Sequence, residues 1–264
     1  VNALRIWLSA ILALVLLGCA STARNDAVPA SIASDPSASG TSAESAYRRG
    51  NALLDSGQYA TAIDAYDGAL LLDPNHSRAH TNRGLCLRML DRMDEAVASY
   101  RRALEIEPDD PVTLGNLAYA LEACGDAAGA VAVLEQLAKL RPDNLQSQSD
   151  LAHLLYELGR YDEAATAYTR VIRLDPGVAG DWYNLGLCHY AQEHWPDALE
   201  SWLAALTQDP KHTKALEGVA VAYWRLKDYD HAWQAVARAR RHGVAFDPGF
   251  ISALQSDSGR LGPP

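Results

Sequence analysis

The side chains in this sequence with the chemistry of nucleophiles and metal ligands are chiefly four cysteines and eight histidines. The cysteines, Cys19, Cys86, Cys124 and Cys188, match no zinc-ligand spacing. The histidines are scattered, with no His-Glu-x-x-His arrangement to set two imidazoles on one helix face. His189 and His194 are near each other in sequence, and the turn between them is expected to hold them apart. There is no Gly-rich phosphate loop and no Gly-x-Ser-x-Gly elbow. Adjacent acids such as Asp94-Glu95 and Asp162-Glu163 recur at one place in a longer pattern, where they complement a helix dipole rather than work as an acid–base pair. The expectation is therefore no catalytic centre, no metal site and no cofactor.

The elements that carry these side chains follow from a repeat. Pro74, Pro108, Pro142, Pro176 and Pro210 fall at a constant interval of 34. Ala62, Ala96, Ala130, Ala164, Ala198 and Ala232 keep that interval. Tyr66, Tyr100, Leu134, Tyr168, Trp202 and Val236 form a register of large residues, and Gly50, Gly84, Ala118, Ala152, Gly186 and Ala220 a register of small ones. A period of this length is the signature of stacked supersecondary units.

Within one unit, Asp181 to Gln192 has Trp182, Leu185, Gly186 and Tyr190 at helical spacing. Pro196 suits the first turn of a second helix, which runs through Ala198, Trp202, Ala205 and Leu206. Asp209-Pro210 ends it, because the residue before a proline is pushed out of the α region. The small residue admits the second helix, and the large one fills the space between units. The six units span 43–76, 77–110, 111–144, 145–178, 179–212 and 213–246. In the last, Val244 replaces the proline and Arg238 to Gly243 supply a basic, Gly-terminated helix end. Asp247-Pro248 is predicted to open a short helix with Phe250, Ile251 and Leu254 that covers the end of the stack. The segment 247–264 is thus a capping stub and tail, expected to fray from Ser256 onward.

This pattern resembles the tetratricopeptide repeat family over roughly residues 43–246. The family's Trp-x-x-Leu-Gly-x-x-Tyr, Ala-x-x-x-Phe and Pro positions are matched best by Trp182-Tyr183-Asn184-Leu185-Gly186, Ala198, Trp202 and Pro210. His189 takes the tyrosine register, with Tyr190 one residue later. The resemblance implies an all-α fold, a right-handed superhelix or α-solenoid of about six helix-turn-helix repeats. It implies a concave face, lined by the first helices, that holds a protein or peptide segment. On that mapping the groove carries Tyr47, Arg48, Asn51, Arg78, Asn82, Arg88, Asn116, Tyr119, His153, Tyr156, Tyr183, Asn184, Tyr190 and Trp224.

Asn82, Asn116 and Asn184 share one register, and an amide offers donor and acceptor to an extended backbone. The same asparagines would equally stabilise their own hairpins or stand in solvent. Asn51 and Asn82 match the two asparagines of the family's carboxylate clamp, but Tyr47 replaces its first lysine, and Val112 and Asn116 its following basic pair. A receptor for chaperone tails is therefore not expected. Cys86 and Cys188 lie in one register three units apart, too far for a disulfide. A Cys86–Cys124 bridge between adjacent units and three buried, small apolar side chains are the two readings left.

The N-terminal region differs in kind. Arg5 precedes the apolar run Ile6 to Leu17, which is too short for a span of about 20 residues and reads as an export signal. Leu16-Leu17-Gly18-Cys19 resembles the lipobox of bacterial lipoproteins, which implies a signal peptide at 1–18 and acyl chains on Cys19; an ordinary signal peptide with an incidental cysteine is the alternative. Residues 19–42, rich in Ala, Ser, Thr, Pro and Gly, read as a flexible tether. Ala20, with no Asp after the cysteine, implies the outer membrane facing the periplasm.

With 264 residues and an apolar fraction of 48%, the chain can bury a sizeable core. A net charge of -10 disfavours nucleic acid and electrostatic attachment to anionic lipid, leaving the lipid as the only membrane contact. A tethered repeat array of this kind resembles the lipoproteins that support secretins and pili, including tight-adherence (Flp) pilus lipoproteins and type IV pilus pilotins. The expected role is a non-enzymatic scaffold for such a machine; an adaptor docking peptidoglycan hydrolases is the alternative.

Overall fold

A computed structural model gives the fold of residues 42–262. The expected signal peptide at 1–18, Cys19 and all but the last residue of the expected tether at 19–42 lie outside the described residues. Those described hold thirteen α-helices and no strand: α1 (Ala43–Asp55), α2 (Tyr59–Leu72), α3 (Ser77–Met89), α4 (Met93–Ile106), α5 (Pro111–Ala123), α6 (Ala127–Leu140), α7 (Leu145–Glu157), α8 (Tyr161–Leu174), α9 (Ala179–Ala191), α10 (Trp195–Gln208), α11 (Thr213–Arg225), α12 (Tyr229–Arg241) and α13 (Pro248–Ser258). None of them is long and apolar enough to cross a membrane.

Local chemistry starts and stops each hairpin. The N-caps of α1, α3, α5, α7 and α11 are Ser42, His76, Asp110, Asn144 and His212, and each side chain accepts a backbone N–H from the first turn. The turn into each second helix needs one residue at positive φ: Gly57, Asp91, Gly125, Gly159, Glu193 and Lys227. A backbone bond then closes it, as from Arg92 N–H to Leu87 O at 2.9 Å and from Asp126 N–H to Leu121 O at 2.8 Å.

The periodic residues explain the packing. All six alanines of the invariant register are fully buried. Tyr66, Tyr100, Leu134, Tyr168, Trp202 and Val236 are buried behind them. A buried ring of this size removes about 150–250 Å² from water, an upper bound of about 4–6 kcal/mol. The small register is where these rings land: a Cβ at Gly50 would stand 2.5 Å from Cε1 of Tyr66. Trp202 is held from two sides, by Gly186 of its own hairpin and Gly218 of the next. Its indole N–H donates to Tyr183 O at 3.1 Å.

The first helices of neighbouring hairpins touch, α1 with α3, α3 with α5 and α9 with α11, while second helices of neighbouring hairpins meet less or not at all. A stack tighter on one side than the other curves toward the tight side, which puts the first helices on the inner face.

Two expectations are corrected. The chain does not fray at Ser256: α13 continues to Ser258, with Gly259 in the left-handed region behind it. Its last turn is tied to the stack, since Trp224 Nε1 donates to Asp257 Oδ2 at 2.8 Å and Trp233 Nε1 to Ser258 Oγ at 3.1 Å. Second, the cysteines are not all buried. Cys86 and Cys188 are buried, but Cys124 is exposed, as the C-cap of α5, with its thiol 3.6 Å from Asp94 Oδ1.

Candidate functional site

The register two residues before each small residue holds Arg48, Asn82, Asn116, Asp150, Asn184 and Gly218. The structure divides these side chains by what they already bond. Asn82 Nδ2 donates to Asn51 Oδ1 at 2.9 Å and to the Tyr47 hydroxyl at 3.3 Å, and Tyr66 OH donates to Asn51 Oδ1 at 2.8 Å. Asn51 ties its own hairpin together through Tyr66, whereas Asn82 bonds across to the preceding hairpin, α3 to α1, rather than within its own. Arg48 pairs with Glu44 at 2.9 Å. Asn116 and Asn184 are half-buried and make no side-chain hydrogen bond among the described residues.

Asp150 belongs to this row and was missed, although the interval of 34 after Asn116 marks it. It accepts from Gln146 Nε2 at 2.8 Å, and burial holds its carboxyl above the usual range. Glu122 on α5 is also raised, first by burial and then by the charges of Asp150 and Glu157. His153 Nε2 lies 3.3 Å from Glu157 Oε1. The middle repeats therefore present an acidic cluster relieved by one imidazole. On α9, burial and then the charge of Asp175 push Asp181 up to about 6.

Aromatic rings and guanidinium groups flank that cluster. Tyr119 is 48% exposed, and the Arg88 guanidinium lies 5.1 Å over its ring. Tyr156 packs against Tyr161 at 5.4 Å. Tyr183 faces His212 at 5.3 Å, and Tyr190 faces Trp195 at 5.0 Å. Arg225 lies 5.2 Å over Trp195 and 4.7 Å over Trp224, and donates to the Tyr190 hydroxyl at 3.4 Å. The Nε atoms of both Arg88 and Arg225 are enclosed and have no hydrogen-bond partner.

Two residues assigned to the groove prove to be part of the packing. Tyr47 is buried against His76 at 4.6 Å, with Arg78 5.5 Å over its ring. Trp224 is buried edge-on against Phe250 of α13 at 5.7 Å. The capping helix expected from Asp247-Pro248 covers that wall, and its Phe250 takes Trp224 out of the groove.

The turn between His189 and His194 does the opposite of what was expected. His194 N–H donates to His189 O at 2.9 Å, and the rings come to 6.5 Å. Burial keeps His189 below the usual imidazole range, while Asp197 and Glu200 oppose that shift.

Models of the tetratricopeptide repeat match residues 47–111 and 183–248, and a second such model matches 87–149 and 121–186. Together they run unbroken over 47–248. A tetratricopeptide repeat-containing protein of Caenorhabditis elegans is 26% identical over 83 residues, 31% of this chain and 11% of that protein. The matched stretch is thus a small part of that relative. Among solved structures, YrrB, described as a protein of this repeat with an unusual peptide-binding site, is 24% identical, with a TM-score of 0.61 over 67% of this chain and 91% of its own. MamA from Desulfovibrio magneticus RS-1 is 22% identical, with a TM-score of 0.55 over 63% and 94%. A repeat protein from Parabacteroides merdae is 16% identical, with a TM-score of 0.57 over 83% and 86%. At these identities the likeness is one of fold.

Proposed function

We propose that this chain, which belongs to the tetratricopeptide repeat family, is a non-enzymatic scaffold that holds an extended protein segment along its first helices. The observation that carries this reading is the pair of half-buried amides left without hydrogen-bond partners inside the stack. Asn116 and Asn184 make no side-chain hydrogen bond among the described residues, while Arg88 and Arg225 lie over aromatic rings nearby. Rings beside them, Tyr119 and Tyr190, offer flat amphipathic walls. An extended peptide brings carbonyls and N–H groups at a regular rise, which such amides can match. The described peptide-binding site of YrrB, on the same fold, supports a peptide ligand. The acidic cluster of Glu122, Asp150 and Glu157 favours a segment with basic or neutral side chains at its middle.

The wider role follows from the N-terminal reading. Acyl chains on Cys19 and a flexible tether would hold the stack at the outer membrane facing the periplasm, where tethering raises effective concentration without new contacts. There it serves the assembly of a pilus or secretin machine.

Photo-crosslinking in intact cells tests both levels. A crosslinker at Tyr119 or Asn184 is expected to capture secretin or pilus subunits, and one at Arg101 or Arg170 on the second helices to capture none. Capture from the second helices alone would overturn the groove. Peptidoglycan hydrolases in place of pilus components would keep the groove and replace the pathway. Cys19→Ser is expected to move the protein from the detergent phase to the aqueous phase; unchanged partitioning removes the anchor.

A further inference from the structure

We propose that His189, His194 and Asp197 form a binding site for a divalent transition-metal ion of the zinc class at the turn of the fifth hairpin. One donor atom from each of the three side chains lies within 4.8 Å of the other two. Zinc bonds of about 2.0–2.1 Å set donors about 3.3 Å apart in a tetrahedron, so closure asks for shifts of about 1.5 Å. His194 and Asp197 are exposed and free to swing that far, while His189 is half-buried and gives the fixed edge.

Comparison among the repeats shows that this trio is particular to one hairpin. The register of His189 holds Leu53, Leu87, Leu121 and Leu155 in the four preceding repeats and Tyr223 in the last. An imidazole in a leucine register brings a polar group into apolar surroundings. Its Nδ1 is enclosed and has no hydrogen-bond partner. Orphaned buried nitrogens are rare in folded proteins, and a bound ion is one of the few things that accounts for them.

The other two donors occupy a register pair that elsewhere couples opposite charges. Arg92 bonds Glu95 at 2.7 Å, Arg160 bonds Glu163 at 2.6 Å, and His231 lies 2.7 Å from Asp228. His194 and Asp197 stand in the same two places, and His194 makes no side-chain cap bond to α10. The repeat geometry thus brings these two positions within reach of each other. The closing bond from His194 N–H to His189 O holds the backbones of the two histidines together, and all three donors lie within 4.8 Å of one another.

Two imidazoles and one carboxylate suit a borderline ion such as zinc, and three protein donors with exposed flanks leave a position for water or for a partner's side chain. Binding would also clamp the turn, whose Glu193 sits at φ 61.

The test uses the full chain without an affinity tag, stripped with a chelator and titrated with zinc against a chromogenic indicator. One zinc ion per chain is expected. His194→Ala and Asp197→Ala should each weaken it at least about tenfold, the loss seen even for outer-shell partners of a metal. His242→Ala, at an exposed helix end outside the groove, should leave it unchanged. Cobalt substitution should give the intense visible bands of a four-coordinate ion, lost in His194→Ala. Zinc should raise the melting temperature of the parent chain and of His242→Ala alone. Because His194 and Asp197 are exposed, circular dichroism of their variants should match the parent. Equal zinc affinity in parent and variants, or no binding at micromolar zinc, overturns the site.

Discussion

Gly84 stands where a β-carbon would fall 2.6 Å from Cε1 of Tyr100. The glycine and the ring are two parts of one fitting, repeated along the stack with matched sizes. Gly50 meets Tyr66 and Gly186 meets Trp202, whereas Ala118 and Ala220 stand in the hairpins whose large residues are Leu134 and Val236. Ala152 with Tyr168 is the exception, and nothing in the structure explains it.

Gly84→Ala is therefore expected to destabilise the chain by about 1–3 kcal/mol, the usual cost of an added methyl in a filled core. Tyr100→Leu in that background should recover part of the loss, giving a coupling energy between the two sites. Additive losses in denaturant unfolding would show that the fit is looser than the geometry says.

The turns offer a stabilising change. Lys227 holds φ 60, a region that favours glycine, while Gly57, Gly125 and Gly159 fill the same place in other hairpins. Lys227→Gly should stabilise by about 0.5–1 kcal/mol, the left-handed strain less the entropy of glycine. Thermal melts of the two chains would decide it, and an unchanged or lower midpoint refutes the strain.

Asp181 predicts a pH dependence. Its carboxyl titrates at about 6 in the fold, raised by burial and then by Asp175, against an ordinary value of 3.8. Between these values the folded state holds a proton that the unfolded chain has released, so stability falls as pH rises from about 4 to 6. Asp181→Asn should remove that slope and stabilise the chain at pH 7.5 by about 1 kcal/mol, a figure reduced for partial solvent access. Parallel pH profiles for the two chains would contradict it.

At the far end, Asp257→Ala breaks the bond from the Trp224 indole. A loss of about 1 kcal/mol is expected, with Trp224 emission moving to longer wavelength as α13 loosens. Unchanged emission would mean that Phe250 and Leu254 hold the helix without it.

The sequence by itself determined the hairpin and its period; the inner position of the first helices was implied only by the resemblance to the repeat family. Each repeat touches only its neighbours, so a 34-residue interval in proline, alanine and ring positions encodes nearly every contact the fold makes. The candidate groove was legible in part: the interval picks out Asn116 and Asn184 and would have picked out Asp150. What only the tertiary structure decided lies where contacts leave the repeat's own register. Asn51 and Asn82 are consumed by a bond between hairpins. Trp224 is closed over by a helix outside the period. Cys124 reaches the surface at a helix end. His189 and His194 meet because a backbone bond folds the turn back on itself. Spacing along a chain gives the face on which a side chain starts; the partner it finds depends on a neighbouring helix whose approach is set by packing.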